Sequence, residues 1–170
     1  MAHQFHNQSS IKLPKSHRAD EEFSAKKGVV LCKDCGAAYY KKSWKHGIEN
    51  IKTSSEKSDP AVSFKICPAC QMIKNKQYEG RITVKNLPER YADELEGLAE
   101  GFCRRAYERD PMHRLIKMEK SASGLVITTT ENELANKLAH KIKSSFKNVK
   151  SRTKFAGDPS DVAEITIEFS

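Results

Sequence analysis

Five cysteines, Cys32, Cys35, Cys67, Cys70 and Cys103, carry the most specific chemistry in the sequence. Four of them form two C-x-x-C pairs, Cys32-Lys33-Asp34-Cys35-Gly36 and Cys67-Pro68-Ala69-Cys70. Two residues between cysteines allow a tight turn that aims both sulfurs at one point. Two such turns supply four thiolates, the donor set of a closed tetrahedral zinc site. Gly36 suits a turn that needs positive φ, whereas Gln71 stands at the equivalent place after the second pair. Four thiolates leave no coordination position for water, so the Zn2+ expected here is structural. The competing readings are four ordinary buried thiols, or a redox dithiol at Cys67 and Cys70. The latter lacks the strand–helix context of a redox motif. His46 is the candidate for an alternative ligand. Cys103 lies beside an apolar helical stripe and reads as a core residue.

Thirty Lys and Arg against 22 Asp and Glu leave a formal net charge of +8, which calls for a polyanionic partner. Two stretches concentrate the cations. In Tyr39-Tyr40-Lys41-Lys42-Ser43-Trp44-Lys45-His46, Tyr40 and Trp44 can stack on unpaired bases while Lys41, Lys42 and Lys45 contact phosphate. Lys65, Lys74 and Lys76 extend that rim. Between Leu134 and Gly157 the chain carries Lys137, Lys141, Lys143, Lys147, Lys150, Arg152 and Lys154 and no acid. At 100° per residue the helical members of this run share the polar side. The ordinary alternatives are that the rings form a small core and that the cations form a solvated face. The sequence shows no Gly-rich phosphate loop, nucleophile elbow or open His-rich metal motif, so neither catalysis nor a small-molecule substrate is expected.

The elements that position these residues fall into three regions. Residues 1–28 read as a disordered basic tail, polar with isolated apolar residues. Residues 29–79 hold both cysteine pairs as a zinc ribbon. A loop at 47–63, rich in Ser, Lys, Glu and Asn with an Asp59-Pro60 turn, is inserted between them. Residues 80–170 read as an α/β sandwich. Ile82 and Val84 alternate with polar neighbours as a strand. Asn86 with Glu89, and Pro88 in the first turn, start a helix with the stripe Tyr91, Leu95, Leu98, Phe102 and Ala106, which Asp110-Pro111 stops. Strands at 114–120 and 125–130 follow. Thr130 and Glu133 make a capping box for a helix whose apolar arc is Leu134, Ala135, Leu138, Ala139, Ile142 and Phe146. A strand at 150–155 and a last one bearing Ala163, Ile165, Ile167 and Phe169 close the chain. The predicted fold class is α+β, a four-cysteine zinc ribbon followed by a small ferredoxin-like βαββαβ domain. The chain has neither a membrane-length apolar run nor the apolar core of a secretory signal, which predicts a cytoplasmic monomer with no membrane association.

Cys32-x-x-Cys35-Gly36-Ala37, Trp44, Cys67-Pro68-Ala69-Cys70, Gly80, Pro111-Met112-x-Arg114, Thr128-Thr129-Thr130 and Leu134-Ala135, in that order, resemble a family of short bacterial zinc-ribbon proteins. That family is similar in turn to the amino-terminal region of the adaptor for large-ribosomal-subunit maturation and nuclear export. The resemblance covers residues 29–170. It implies association with ribosomal RNA or a ribosomal particle, with ribosomal proteins among the partners, and Cys32, Cys35, Cys67 and Cys70 as zinc ligands. The export adaptor carries more zinc ligands and further domains, so what transfers is particle binding, in assembly, storage or translation control. A protein–protein adaptor, with ribbon and sheet holding a protein partner, is the alternative expectation.

Overall fold

The computed structural model describes residues 28–47, 61–121, 124–156 and 162–170. The expected tail and the loop as far as residue 60 lie outside them. Four short strands and a helix make the first unit: β1 (Gly28–Cys32), β2 (Ala38–Tyr40), β3 (Ser43–Lys45), β4 (Ala61–Lys65) and α1 (Pro68–Lys74). Their order is β3-β2-β1-β4, with β4 parallel to β1. The inserted loop was expected to run to residue 63, but Ala61–Ser63 belong to β4. Parallel pairing with β1 recruits them, a contact remote in sequence. Lys41 and Lys42 turn the β2–β3 hairpin with φ of 48° and 63°. Positive φ at both central residues is the requirement of a type I′ hairpin loop.

The second unit runs β5 (Gly80–Lys85), a 3-10 turn (Glu89–Tyr91), α2 (Ala92–Arg109), β6 (Leu115–Ser121), β7 (Gly124–Thr129), α3 (Asn132–Ser145), β8 (Val149–Phe155) and β9 (Ala163–Phe169). The sheet order is β6-β7-β5-β9-β8. Alternate residues Ile82, Val84, Leu125, Ile127, Ile165 and Ile167 are buried under α2 and α3, in one core with Leu95, Ala99, Leu134, Leu138 and Ile142. Cys103 is buried in the same core, as its position beside the stripe predicts.

This sheet departs from the ferredoxin-like βαββαβ expectation. Such a unit is four-stranded and antiparallel, whereas here β5 and β9 run parallel at the centre of five strands. The cause is the extra strand. Helix α3 returns the chain so that β8 runs in the direction of β7. The hairpin into β9 then reverses it, and β9 takes the place beside β5.

Both expected helix caps also differ. Asn86 adopts φ 53° and its side-chain amide donates to the Glu168 carboxylate, so α2 starts at Ala92, preceded by the 3-10 turn. The Thr130 hydroxyl donates to the Met112 carbonyl at 2.6 Å, and Glu131 is the cap residue of α3. In each case a tertiary partner outcompetes the local cap.

Gly80 lets α3 approach the sheet. A Cβ there would lie under 3.0 Å from Thr129 Oγ1, Ala135 Cβ and the Glu131 carbonyl oxygen. No helix among the described residues is long and apolar enough to cross a membrane.

Candidate metal centre and cationic surfaces

The turn after β1 carries Cys32 and Cys35. Its backbone is closed by Gly36 N–H donating to the Cys32 carbonyl at 3.0 Å and by Cys32 N–H donating to Ala37 at 2.7 Å. Gly36 has φ +72°, as the turn requires. Parallel pairing of β4 with β1 sets Lys65 beside Cys32 and delivers Cys67 two residues later to the same end of the sheet. Cys67 is the N-cap of α1, its sulfur accepting from the Cys70 N–H at 3.4 Å, and Pro68 opens the helix where its missing N–H costs nothing.

The four sulfurs gather at 3.5–3.9 Å from one another. A tetrahedral ion with metal–sulfur bonds of about 2.3 Å requires sulfur–sulfur edges of about 3.8 Å. The four cysteines therefore form a site that can hold a metal ion. Cys32, Cys67 and Cys70 are buried and Cys35 is half-buried. Burial raises the Cys32 thiol, but the backbone N–H groups of Cys67, Cys35 and Asp34 outweigh it and hold the thiol down at about 7. Burial pushes Cys70 up to about 11 and Cys67 higher still. Four thiolates this close repel one another, and a bound cation removes that repulsion. Lys74 Nζ lies 2.9 Å from the Asp34 carboxylate and ties the two cysteine turns together.

The elements after the cysteines close over this cluster. Met112 packs against the buried cluster that holds Cys32, Cys67 and Cys70. Its backbone is fixed by Asp110 Oδ1, which accepts its N–H at 2.9 Å, and by the Thr130 hydroxyl. Thr129 donates its hydroxyl to Glu131 at 2.8 Å. Met112 thus joins the two units, and the Thr130 hydroxyl anchors its backbone to the second. His46, the alternative ligand, instead bonds the Tyr107 carbonyl, its ring edge-on to Tyr107 at 4.6 Å. The Arg114 guanidinium lies 4.5 Å over the same Tyr107 ring.

Every cation expected at an RNA surface is exposed: Lys41, Lys42, Lys45, Lys65, Lys74, Lys76, Lys137, Lys141, Lys143, Lys147, Lys150, Arg152 and Lys154. The two rings are less available. Trp44 packs on Tyr39 at 5.3 Å and on Val30, and Tyr40 is half-buried beside Val29 and Ala38 with Lys41 over its face. Helix α3 divides the acid-free run between two places. Lys137 and Lys141 line a groove between α2 and α3, of about 860 Å³, with Arg109, His113 and His140. Lys143, Lys150, Arg152 and Lys154 line a second groove, of about 640 Å³, at the β8 edge of the sheet. Lys85 joins this second groove and Arg109, His113 and His140 the first. His140 lies within the basic run, on the polar side of its helix, whereas Lys85, Arg109 and His113 were not expected, because they sit outside that run. Strand alternation past Ile82 and Val84 was the signal that could have marked Lys85 as outward-facing.

Comparison with protein-family models and with curated proteins finds no match for this chain.

Proposed function

We propose that this chain is a non-enzymatic RNA-binding protein whose cysteine unit is a zinc ribbon holding one structural Zn2+. The zinc assignment rests on a soft, all-thiolate, tetrahedral donor set, which selects Zn2+ among common divalent ions and leaves no open position. The chain's own residues supply the rest of that site: backbone N–H groups on the sulfurs, and Met112 as an apolar cover. The observation that carries RNA binding is that the predicted cations are all exposed and that six of them, Lys137, Lys141, Lys143, Lys150, Arg152 and Lys154, line two grooves. The ribosome, in the cytoplasm, as the source of that RNA is what the family resemblance implies. The α/β unit keeps the helix-on-sheet layering of ferredoxin-like folds with a strand added.

Sucrose-gradient sedimentation of a lysate containing the tagged chain tests this reading. Co-migration with a subunit or whole ribosome, lost at high salt or after ribonuclease, is the expected result. A chain that stays at the top of the gradient at every salt concentration removes the ribosome from the proposal. Metal analysis of the purified chain is expected to return one zinc per molecule, lost in Cys67→Ser.

One observation favours a second reading, a protein adaptor. Val62 and Phe64 on the edge strand β4 are 44% and 59% exposed. If they hold a protein partner, Phe64→Ser abolishes capture of it and Lys143→Glu with Lys147→Glu does not. The RNA reading expects the reverse for RNA.

A further inference from the structure

We infer that the RNA bound by this chain is double-stranded, held through phosphates and 2′-hydroxyls by the open face of the five-stranded sheet and the groove at its β8 edge; this rests on the RNA-binding reading above. Both α2 and α3 pack on one face of the sheet, and the other face is left to solvent. The strand register lays out that open face in rows. Lys85, Glu168 and Lys150 are cross-strand neighbours, then Thr83, Thr166 and Arg152, then Arg81, Glu164 and Lys154. Lys143 reaches the same groove from α3.

The cations of these rows, and Lys143, make no ion pair with any carboxylate among the described residues. Glu168 accepts from Asn86 at 3.4 Å instead. The other flank of α3 behaves differently, because Lys137 pairs with Glu133 at 2.6 Å. With Lys143 these rows carry six cations, Arg81, Lys85, Lys143, Lys150, Arg152 and Lys154, against two carboxylates, Glu164 and Glu168, and the excess positive charge favours a polyanion.

The shape of the pattern selects the kind of nucleic acid. Alternate residues on β8 are about 6.6 Å apart and the β5, β9 and β8 backbones span about 10 Å. The cations therefore cover an area rather than a single track. A sheet that binds single strands carries rings at its centre for bases to stack on. The middle row here is Thr83, Thr166 and Arg152, hydroxyls and a guanidinium suited to phosphate and sugar. Among the described rings of these strands, Phe169 lies on the helix side with Phe146 and Tyr91. Phe155, 64% exposed at the end of β8, pairs with the buried Ala163 and so also falls on the helix side rather than in the middle row. A-form RNA offers its 2′-hydroxyls and phosphates across a wide, shallow minor groove and needs no stacking partner.

The test is fluorescence anisotropy on the intact, metal-loaded chain with an RNA duplex of about 16 base pairs, one of its strands alone, and a DNA duplex of the same sequence. The RNA duplex is expected to bind about tenfold or more tighter than either competitor. Lys150→Glu with Arg152→Glu is expected to weaken it about 100-fold and to reduce the salt slope by about two. Lys143→Glu, on a different element, is expected to act in the same direction, which separates loss of charge from disruption of β8. Lys120→Glu, at a cation outside the proposed surface that pairs with Glu96 at 3.3 Å, is expected to have little effect. Tighter binding of the single strand, or indifference to Lys150→Glu with Arg152→Glu and to Lys143→Glu, overturns the duplex assignment and leaves the RNA reading standing. Equal binding of the DNA duplex overturns the role of the 2′-hydroxyl. Failure of every RNA to bind overturns both.

Discussion

The two sheets of this chain are held together by different means. In the first, the strands are three to five residues long and the apolar contacts form small clusters, Val30 with Tyr39 and Val29 with Ala38. Its largest buried group is the set of four sulfurs and their neighbours. In the second, strands of six or seven residues lie under two helices, and a continuous core runs from Ile82 to Phe169. The contrast teaches a general point about size. A sheet too small to bury a core of its own needs a cross-link, and a sheet with helices across one face does not.

The sharpest way to break this comparison is to remove the metal ion proposed to cross-link the four sulfurs. Chelation, or Cys67→Ser, is expected to unfold the cysteine unit outright, since such sites contribute on the order of 10 kcal/mol. Trp44, the only tryptophan, lies in that unit and reports on it. Its fluorescence should shift to the red on chelation, while amide protons in β5, β7 and β9 stay protected from exchange. Simultaneous loss of both signals would show that the second unit depends on the first.

A smaller effect tests the other side. Ile165→Ala or Leu138→Ala, both at the centre of the α/β core, should cost about 2–5 kcal/mol in denaturant unfolding and leave metal content unchanged. Gly80→Ala should cost about 1–3 kcal/mol, because backbone and the fixed methyl of Ala135 must yield to the new Cβ. A neutral result there would mean that α3 rides on the sheet more loosely than the geometry shows. The smallest effect runs in the opposite direction. Lys42→Gly, at φ 63° in the β2–β3 turn, should stabilise the cysteine unit by about 1 kcal/mol. A rise in the midpoint for chelator-induced unfolding would show it.

Long periodic segments were legible in the sequence. Leu134, Ala135, Leu138, Ala139, Ile142 and Phe146 are all buried, as are Ala163, Ile165, Ile167 and Phe169, because a helix or strand packed on one face must repeat at its own period. The cysteine cluster was legible for a similar reason, since two short turns leave the sulfurs little freedom. What could not be read were contacts between remote residues. Strand β4 carries Val62 and Phe64 outward and is defined by pairing with β1, so its residues resemble a loop. Asn86 and Thr130 have cap chemistry, but Glu168 and Met112 use it first. The basic run between Leu134 and Gly157 is continuous in sequence and divided in space, because α3 and β8 present its members to two different grooves.

The parallel pair at the centre of the larger sheet bears on the order in which the molecule assembles. Gly80 pairs with Ala163, and no local turn can bring those residues together. Closing that span carries a larger entropic cost than closing the one from Cys32 to Cys67, and non-local parallel pairing is intrinsically slow. The four cysteines can therefore come together, and take up the metal ion proposed there, before the sheet is complete. Until β9 inserts, β5 offers an unpaired edge alongside the apolar residues Ile82 and Val84. In that interval the chain is most exposed to aggregation, which makes the arrival of β9 the step on which its yield depends.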